Sequence, residues 1–160
     1  MPNTDITIRN AKKIDLEQIN RVIEAAVMSW NMAERVKRLS LSSYRYNEQD
    51  FNHIELVVAE DDVKIIRGVA GWELAHETEL PEGQSALLLH GLYVEPAFHH
   101  QGIGQKLFSL AEAAAHNNNV GGLLVRAQKD AKGFFSAQGM TLLAVENPSR
   151  NYLNRFWKGI

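Results

Sequence analysis

The sequence contains no cysteine. This absence excludes disulfide bonds, a thiolate nucleophile and metal sites with cysteine ligands. The chain also lacks an excess of charge of one sign, because its formal net charge is −2 with acidic and basic residues interspersed. This balance argues against a nucleic-acid surface built on bulk charge. We therefore expect no nucleic-acid partner, although Arg35, Lys37 and Arg38 would permit a local basic groove.

No hydrophobic run approaches the length that spans a membrane, and the first residues lack the basic and apolar segments of a secretion signal. We therefore expect a cytoplasmic protein with no membrane partner. Internal repeats, low-complexity tracts and linkers rich in proline or serine are absent as well. What is present, 160 residues of which 45% are hydrophobic, suits one globular domain with a substantial core over residues 1–160.

The hydrophobic periodicity alternates between strand and helix patterns. It predicts a strand, a helix, a short second helix, three strands, a helix, a strand, a helix and two strands, which form a mixed sheet with helices on both faces. Asp15 is expected to cap the first helix, with Gln18 completing a capping box. The apolar face of that helix is predicted to be Leu16, Ile19, Val22, Ile23, Ala26 and Val27.

The remaining boundaries follow from turn and cap signals. The predicted strands are 54–60 and 65–74, joined as a hairpin at Asp61-Asp62, then 86–94, 123–127, 140–144 and 153–158. The predicted helices after the first are 33–41, 104–116 and one that Asp130 caps and Gly139 ends. Residues 42–47 are predicted as a loop. The strand 123–127 is nearly all apolar, which indicates an interior position in the sheet.

The most informative segment is His99-His100-Gln101-Gly102-Ile103-Gly104, between a predicted strand and a predicted helix. The first N–H groups of a helix have no partner inside it, and glycines let the backbone approach a ligand closely. The segment therefore predicts an anion site, most naturally for phosphate. A dinucleotide fingerprint would need a third glycine where Leu107 stands, and no Gly-Lys-Ser/Thr follows to form a Walker loop.

This segment resembles motif A of the GCN5-related N-acetyltransferase (GNAT) family, Gln/Arg-x-x-Gly-x-Gly/Ala after a strand with a Leu-x-Val-x-Pro-like end. Here that end is Leu92-Tyr93-Val94-Glu95-Pro96, and His99 stands at the Gln/Arg position. The segment from Ala131 to Met140 resembles the family's Ala-x-x-Phe-Tyr-x-x-x-Gly-Phe motif, with Phe135 at the tyrosine position. The resemblance implies a single α/β (mixed α+β) domain whose mixed, mostly antiparallel sheet has six or seven strands and about four flanking helices.

The resemblance also implies acetyl-CoA as co-substrate and no metal. Family members pair the pantetheine arm with this strand end, which assigns that role to the backbone of Leu92, Tyr93 and Val94. The Val94 N–H would also polarise the thioester carbonyl. Phe135 would line the pantetheine channel. The pyrophosphate would bind the backbone amides of Gln101, Gly102, Ile103, Gly104 and Gln105.

His99 lacks the reach of the glutamine or arginine that the family has at its position. It can donate to phosphate oxygens when protonated, or this role can pass to His100 or Gln101. The alternative interpretation is a solvated loop imidazole.

Transfer to an amine needs a base for the second proton of the amine and a proton for the departing thiolate. A tyrosine often acts as this acid in the family, but Phe135 has no hydroxyl, and the neighbouring Ser136 is a far weaker acid that can position a water. A thiol pKa near ~8.5 makes thiolate a tolerable leaving group by itself. His90 is the first candidate base, with a structural histidine as the alternative. Glu73 is the second candidate or a site for a cationic acceptor, and the Tyr93 hydroxyl either faces the thioester or covers a helix.

The acceptor pocket of the family lies in the region of Trp30, Met32, Tyr44, Tyr46 and Phe51, residues that suit a core equally well. Three hypotheses remain open. The chain is an acyl-CoA-dependent N-acetyltransferase for a small-molecule amine, a catalytically weak or inactive protein that binds and senses CoA, or an acetyltransferase for a protein or RNA-linked amine. An exposed sheet edge would also permit a homodimer, as is common in the family.

Overall fold

The computed structural model describes residues 5–145 and 154–160. The strands are β1 (Thr7–Asn10), β2 (Glu55–Glu60), β3 (Ile66–Leu74), β4 (Ala86–Val94), β5 (Gly122–Arg126), β6 (Thr141–Leu142) and β7 (Arg155–Gly159). The helices are α1 (Leu16–Met28), α2 (Glu34–Tyr44), α3 (Ile103–Asn117) and α4 (Lys132–Ala137). The element order agrees with the prediction.

Hydrogen-bonded neighbours follow the order β1-β2-β3-β4-β5-β7-β6 in one seven-stranded sheet. β4 and β5 are parallel, whereas β1–β2, β5–β7 and β6–β7 are antiparallel. The predicted mixed, mostly antiparallel sheet is therefore confirmed, as is the interior position of β5. By its contacts the chain divides into two compact units, one made of residues 5–71 and 91–108 and the other of residues 72–90, 109–145 and 154–160.

The first unit is organised around the apolar face of α1. Ile19, Val22, Ile23, Ala26 and Val27 are buried as predicted, and they share a cluster with side chains of β2 and β3 and with Tyr93. Each fully buried aliphatic side chain of this kind contributes about 1.5–3 kcal/mol. This face of α1 supplies the core against which the second half of β4 is placed.

Asp15 occupies the N-cap position of α1 as predicted, but its side chain makes no cap hydrogen bond to the helix, so the predicted capping box is wrong. The Asp15 carboxylate accepts two N–H groups of the Arg9 guanidinium (2.8 and 3.0 Å) and the backbone N–H of Lys12 (2.7 Å). The Gln18 side-chain oxygen accepts the N–H of Ile66 at 3.0 Å. Both side chains bind partners in other elements, because a charged pair and a strand N–H compete with the local cap.

The second unit contains the first half of β4 and the strands that follow it. Residues 86–89 of β4 pair in parallel with residues 122–125 of β5, which pairs in turn with β7. Ala86, Leu88 and Leu124 form a small buried cluster. A Cβ at Gly122 would lie 2.4 Å from the Trp157 ring, so the β5–β7 packing requires glycine there.

Several predicted boundaries need correction. α2 extends to Tyr44, so residues 42–44 are helical and only residues 45–47 form the predicted loop. The buried Leu41 in its last turn explains the extension, since packing favours helix over local turn signals. Asp130 does not cap a helix. The Gln128 side chain accepts the N–H of Asp130 (2.9 Å) and starts a short 3₁₀ turn before α4.

Two predictions concern the C-terminal strands. Gly139, which has a φ of +86°, follows the end of α4 as predicted. β6 is shorter than predicted, and Leu153, the predicted start of the last strand, lies outside the described residues. β7 begins at Arg155.

Candidate functional site

The second half of β4 directs alternate backbone groups to its two edges. The N–H of Glu95, directly after the strand, donates to the carbonyl of Arg67 on β3 (2.8 Å). Because the backbone groups of a strand alternate in direction, Leu92 and Val94 present their N–H and C=O groups to the edge away from β3. The pairing with β5 ends at Leu89, whereas β4 continues to Val94. The strand end thus offers a backbone edge to a ligand.

β4 also contains one residue more than the facing part of β3. Two cross-strand bonds define the interval, from Glu95 to Arg67 and from the Ala75 N–H to the Ala86 carbonyl at 2.9 Å. Between them β3 advances eight residues and β4 advances nine. The extra residue is a β-bulge, a feature that re-aims side chains and interrupts pairing. His90, the one exposed residue of β4, lies within this interval.

A short turn leads from β4 to the segment with the anion-site pattern. Pro96 begins a single 3₁₀ turn, closed by the bond from the Phe98 N–H to the Glu95 carbonyl (2.8 Å). His99 then returns its Nε2 to the carbonyl of Val94 at 3.0 Å. A carbonyl accepts only, so Nε2 carries the proton in this contact. The imidazole therefore lies at the open edge of β4.

The segment 99–105, here called the phosphate loop, has the backbone geometry of an anion site. His100 and Gly102 have φ values of +64° and +82°, and alternation between left- and right-handed residues gathers N–H groups into a concave surface. The first helical bond runs from the Lys106 N–H to the Gly102 carbonyl (3.1 Å). The N–H groups of residues 103–105 thus precede the first helical bond.

Gly102 tests whether the loop fits a ligand. A Cβ built on it would meet no atom of residues 5–145 and 154–160 within 4 Å, apart from its own chain neighbours. Glycine is therefore not required by packing within the protein, but by the positive φ and by the space in front of the backbone. Open space over a turn of this conformation is what a phosphate group needs in order to reach backbone amides.

An ion-pair network that the sequence did not predict holds Glu95, the residue that follows β4. The Arg67 guanidinium contacts Asp61 (Nε to Oδ2, 3.0 Å) and Glu95 (Nη1 to Oε2, 2.7 Å) and covers the Phe98 ring at 4.2 Å from its centroid. Arg21 of α1 binds the other oxygen of Glu95 at 3.0 Å. Arg67 and Glu95 are far apart in sequence, so only the antiparallel pairing of β3 with β4 could have predicted their contact.

The network also shifts the pKa values of its carboxyl groups. Burial alone would raise the pKa of Asp61, but the Ile65 N–H and the Arg67 guanidinium outweigh it, and the pKa lies below its ordinary value. Burial likewise opposes the lowering of the Glu95 pKa, which Arg67 and Arg21 bring about. Both groups are therefore carboxylates at neutral pH.

Aromatic side chains of the first unit form a row beside β4. Trp30 packs edge-on against Tyr44 (5.2 Å between centroids), and Tyr44 packs edge-on against Tyr93 (6.4 Å). Tyr93 belongs to the buried cluster around α1, and burial raises the pKa of its hydroxyl above the ordinary value. Its phenol consequently stays protonated at neutral pH and cannot serve as a base.

Tyr46 lies deeper than the rest of the predicted acceptor wall. Its side chain is buried, and its hydroxyl oxygen would lie 2.8 Å from a Cβ at Gly91 and 3.0 Å from one at Gly71. Two glycines on adjacent strands therefore make room for this hydroxyl at the surface of β4. Phe51 packs on the same core, whereas Met32 is exposed.

The candidates for proton transfer belong to the second unit. His90 on β4 is exposed and Glu73 on β3 is partly buried. On α4, Ser136 is exposed, while Phe135 is buried, with its ring centroid 5.1 Å from that of Phe134 and 6.2 Å from that of Phe156. The structure thus gathers the predicted cofactor residues 92–105 in one continuous segment and distributes the catalytic candidates over three elements.

Residues 5–145 and 154–160 hold no group of three or more His, Cys, Asp or Glu side chains that could bind a metal ion. Over the same ranges, the helices are too short or too polar to cross a bilayer.

The chain resembles known proteins both in a family sequence pattern and in fold. The family model described as an acetyltransferase (GNAT) domain matches residues 52–140. No curated protein matches the chain in sequence. Solved structures do match its fold. The PaiA N-acetyltransferase of Thermoplasma acidophilum, in complex with coenzyme A, is 17% identical with a TM-score of 0.71 and 96% of each chain covered.

Two more structures resemble the chain over nearly its whole length. A GNAT family acetyltransferase from Brucella melitensis, in complex with acetyl-CoA, is 18% identical with a TM-score of 0.66, covering 98% of this chain and 89% of that one. AtaT, complexed with acetyl-methionyl-tRNAfMet, is 16% identical with a TM-score of 0.62, covering 97% and 95%. Likeness at these identities concerns the fold alone.

Proposed function

Because the chain belongs to the GNAT acetyltransferase family, we propose that it transfers the acetyl group of acetyl-CoA directly to the amine of a small molecule. One observation carries this proposal: an open strand edge and a loop with an anion-site conformation follow each other in one segment. β4 extends past its last β5 partner and ends at a loop with positive φ at His100 and Gly102. A thioester with a pyrophosphate on a long arm matches an open strand edge next to an anion site.

The backbone of this segment would hold acetyl-CoA. Leu92 and Val94 face the open edge of β4, where both N–H groups and the Leu92 C=O can pair with the pantetheine arm. The Val94 C=O accepts the Nε2–H of His99. The N–H groups of residues 101–105 would bind the pyrophosphate, with His99 at the junction through its contact with Val94. Acetyl-CoA supplies an activated acyl group, and the Val94 N–H would stabilise the negative charge that develops on the carbonyl oxygen.

In the transfer, the amine nitrogen bonds to the acetyl carbon as the carbon–sulfur bond breaks, and the amine loses one proton. His90 is the proposed acceptor of that proton, because it is exposed in the bulged interval of β4 and an imidazole nitrogen can accept a proton. Glu73 is the second candidate. Phe135 cannot protonate the thiolate, so water, which Ser136 can position, would do so.

A second candidate function, a catalytically weak protein that senses CoA, is favoured by the buried aromatic contacts of Phe135, where the family often has an acidic hydroxyl. An amine on a protein or on tRNA is the third possibility, and one similar fold, AtaT, was solved with an acetylated aminoacyl-tRNA. Homodimerisation and a cytoplasmic location stay predictions from the sequence.

Release of CoA thiol from acetyl-CoA, followed over a panel of amines, tests the proposal. The panel should contain small monoamines, polyamines, amino acids, a lysine peptide and aminoacyl-tRNA. Acceptor-dependent thiol release with a small amine would support the proposal. Binding of CoA without acceptor-dependent release would favour the sensor, and release with only the peptide or the tRNA would replace the small-molecule acceptor.

A further inference from the structure

The ion-pair network around Arg67 is electrically balanced. Arg67 and Arg21 face two carboxylates, Asp61 and Glu95, which are bound at 2.7–3.0 Å. The side chains of Arg67 and Glu95 are about one-sixth exposed, at 18% and 17%. Because the charges cancel, the network adds no net positive field that would attract a phosphate. Its effect on ligand binding must therefore come from the positions it fixes.

The Arg67 guanidinium binds two carboxylates from different parts of the chain. Asp61, at the turn between β2 and β3, accepts the N–H groups of Val63 (3.0 Å) and Ile65 (2.9 Å) with its other oxygen. Glu95 is held by Arg21, which also donates to the Ile66 carbonyl (2.8 Å). The Arg67 guanidinium thus joins the β2–β3 turn to Glu95, which starts the turn after β4, and Arg21 joins α1 to the same residue.

Short-range hydrogen bonds connect Glu95 to the start of the phosphate loop, four residues later. The Phe98 N–H is bonded to the Glu95 carbonyl, and the Phe98 ring lies under the guanidinium at 4.2 Å, a cation–π contact. His99 follows directly, with its N–H on the Pro96 carbonyl (3.2 Å) and its imidazole on Val94. The chain then enters the positive φ of His100.

We propose that Arg67 is a positioning residue for acetyl-CoA: by clamping Glu95 and Phe98 it orients the backbone amides of the phosphate loop. This inference rests on the proposed function, because it assigns the loop to the pyrophosphate. Arg67 touches no cofactor atom in this scheme. The loop binds a phosphate well only when its backbone N–H groups point to the same place. Residues outside the loop can set this orientation.

The test compares Arg67→Gln with Arg9→Gln. Arg9 forms the matched network of the same unit, bridging Asp15 (2.8 Å) and Glu60 (3.2 Å), and its partners lie outside residues 91–105. Titration calorimetry with CoA should show affinity weakened about 10-fold in Arg67→Gln and unchanged in Arg9→Gln. The KM for acetyl-CoA should rise by a similar factor, while kcat at saturation stays within about twofold.

Two further variants keep the proposal testable if Arg67→Gln does not fold. Arg67→Lys retains the charge but not the fork that joins two carboxylates, and should weaken CoA binding by an intermediate factor. Phe98→Leu removes only the ring under the guanidinium and should weaken it by about threefold. The amide NMR chemical shifts of residues 99–105 should change in Arg67→Gln, Arg67→Lys and Phe98→Leu, and should stay unchanged in Arg9→Gln.

Wild-type CoA affinity in folded Arg67→Gln and Phe98→Leu would overturn the positioning role. An equal loss in Arg9→Gln would overturn it as well, since the effect would then reflect general destabilisation. The proposed function fails separately: if a bulky residue at Gly102 also leaves CoA binding intact, the loop is not the cofactor site at all.

Discussion

The phosphate loop and the candidate proton-transfer residues differ in what determines their position. The loop is defined by backbone groups, through the positive φ of His100 and Gly102 and the first turn of α3. His90 and Ser136 are defined by their side chains, and both are exposed. Backbone amides survive most substitutions, whereas a side-chain acid or base does not. A chain of this fold can therefore keep cofactor binding while its catalytic groups change.

The largest expected effect comes from a substitution that disturbs the backbone of the phosphate loop. Gly102→Val places a branched side chain at φ +82°, in the space before the loop amides. We expect CoA affinity to fall on the order of 1000-fold, about 4 kcal/mol, because both the strained turn and the added atoms oppose phosphate binding. Titration calorimetry measures this change directly.

Gly83 provides the matched control. It too has a positive φ, +77°, and a Cβ there would meet no atom within 4 Å, but it lies in the loop before β4. Gly83→Val carries a comparable backbone strain and should bind CoA normally. Equal losses in both variants would assign the effect to strain and remove the loop from the cofactor site.

The next effect tests the side-chain half of the comparison. His90→Ala should lower kcat/KM about 100-fold, as expected for the loss of a general base, with CoA affinity unchanged. The acid limb of the pH profile of kcat/KM, where protonated His90 is inactive, should disappear in the same variant. Assays of CoA thiol release across the pH range measure kcat/KM and its pH profile.

His116 serves as the control for this prediction, because it is an exposed histidine at the end of α3 in the same unit. His116→Ala should leave the pH profile unchanged. An unaltered profile in His90→Ala would remove His90 as the base and leave Glu73 as the remaining carboxylate candidate.

The same comparison explains how much the sequence could predict. β4 was predicted with its observed bounds, Ala86–Val94, and the loop was placed correctly, because glycine spacing and helix starts are local signals. The capping-box hydrogen bonds of Asp15 and Gln18 were predicted wrongly, because the side chains bind Arg9 and Ile66, which belong to other elements.

The clamp at Arg67 and the slot for Tyr46 were missed for a related reason. Arg67 contacts Glu95 across the β3–β4 pair, and the Tyr46 hydroxyl needs glycines at both 71 and 91. Each depends on strand register, which turns on a single extra residue in β4. The hydrophobic pattern predicts that a strand is present, but it does not reveal a bulge within that strand.

A smaller effect asks whether the missing acid matters. Phe135→Tyr adds the hydroxyl that the family often has, in a buried position between Phe134 and Phe156. We expect kcat to change by less than about threefold, since the thiolate is a tolerable leaving group near neutral pH. Phe134→Tyr is the control. A gain above about 10-fold in Phe135→Tyr alone would show that proton donation limits the rate.

The smallest expected effect concerns the acid stability that the two arginine networks provide. The pKa values of Asp61 and Glu95 are lowered in the folded state, so the unfolded chain binds more protons as pH falls below about 4. This stability is complete above the ordinary carboxyl pKa and is lost through the lowered values. Arg67→Gln should therefore reduce the difference in unfolding free energy between pH 7 and pH 3, measured with urea. Arg9→Gln should do the same through Asp15, whose pKa Arg9 lowers, while CoA affinity distinguishes the two. An unchanged difference in Arg67→Gln would mean that its carboxylate partners do not depend on it.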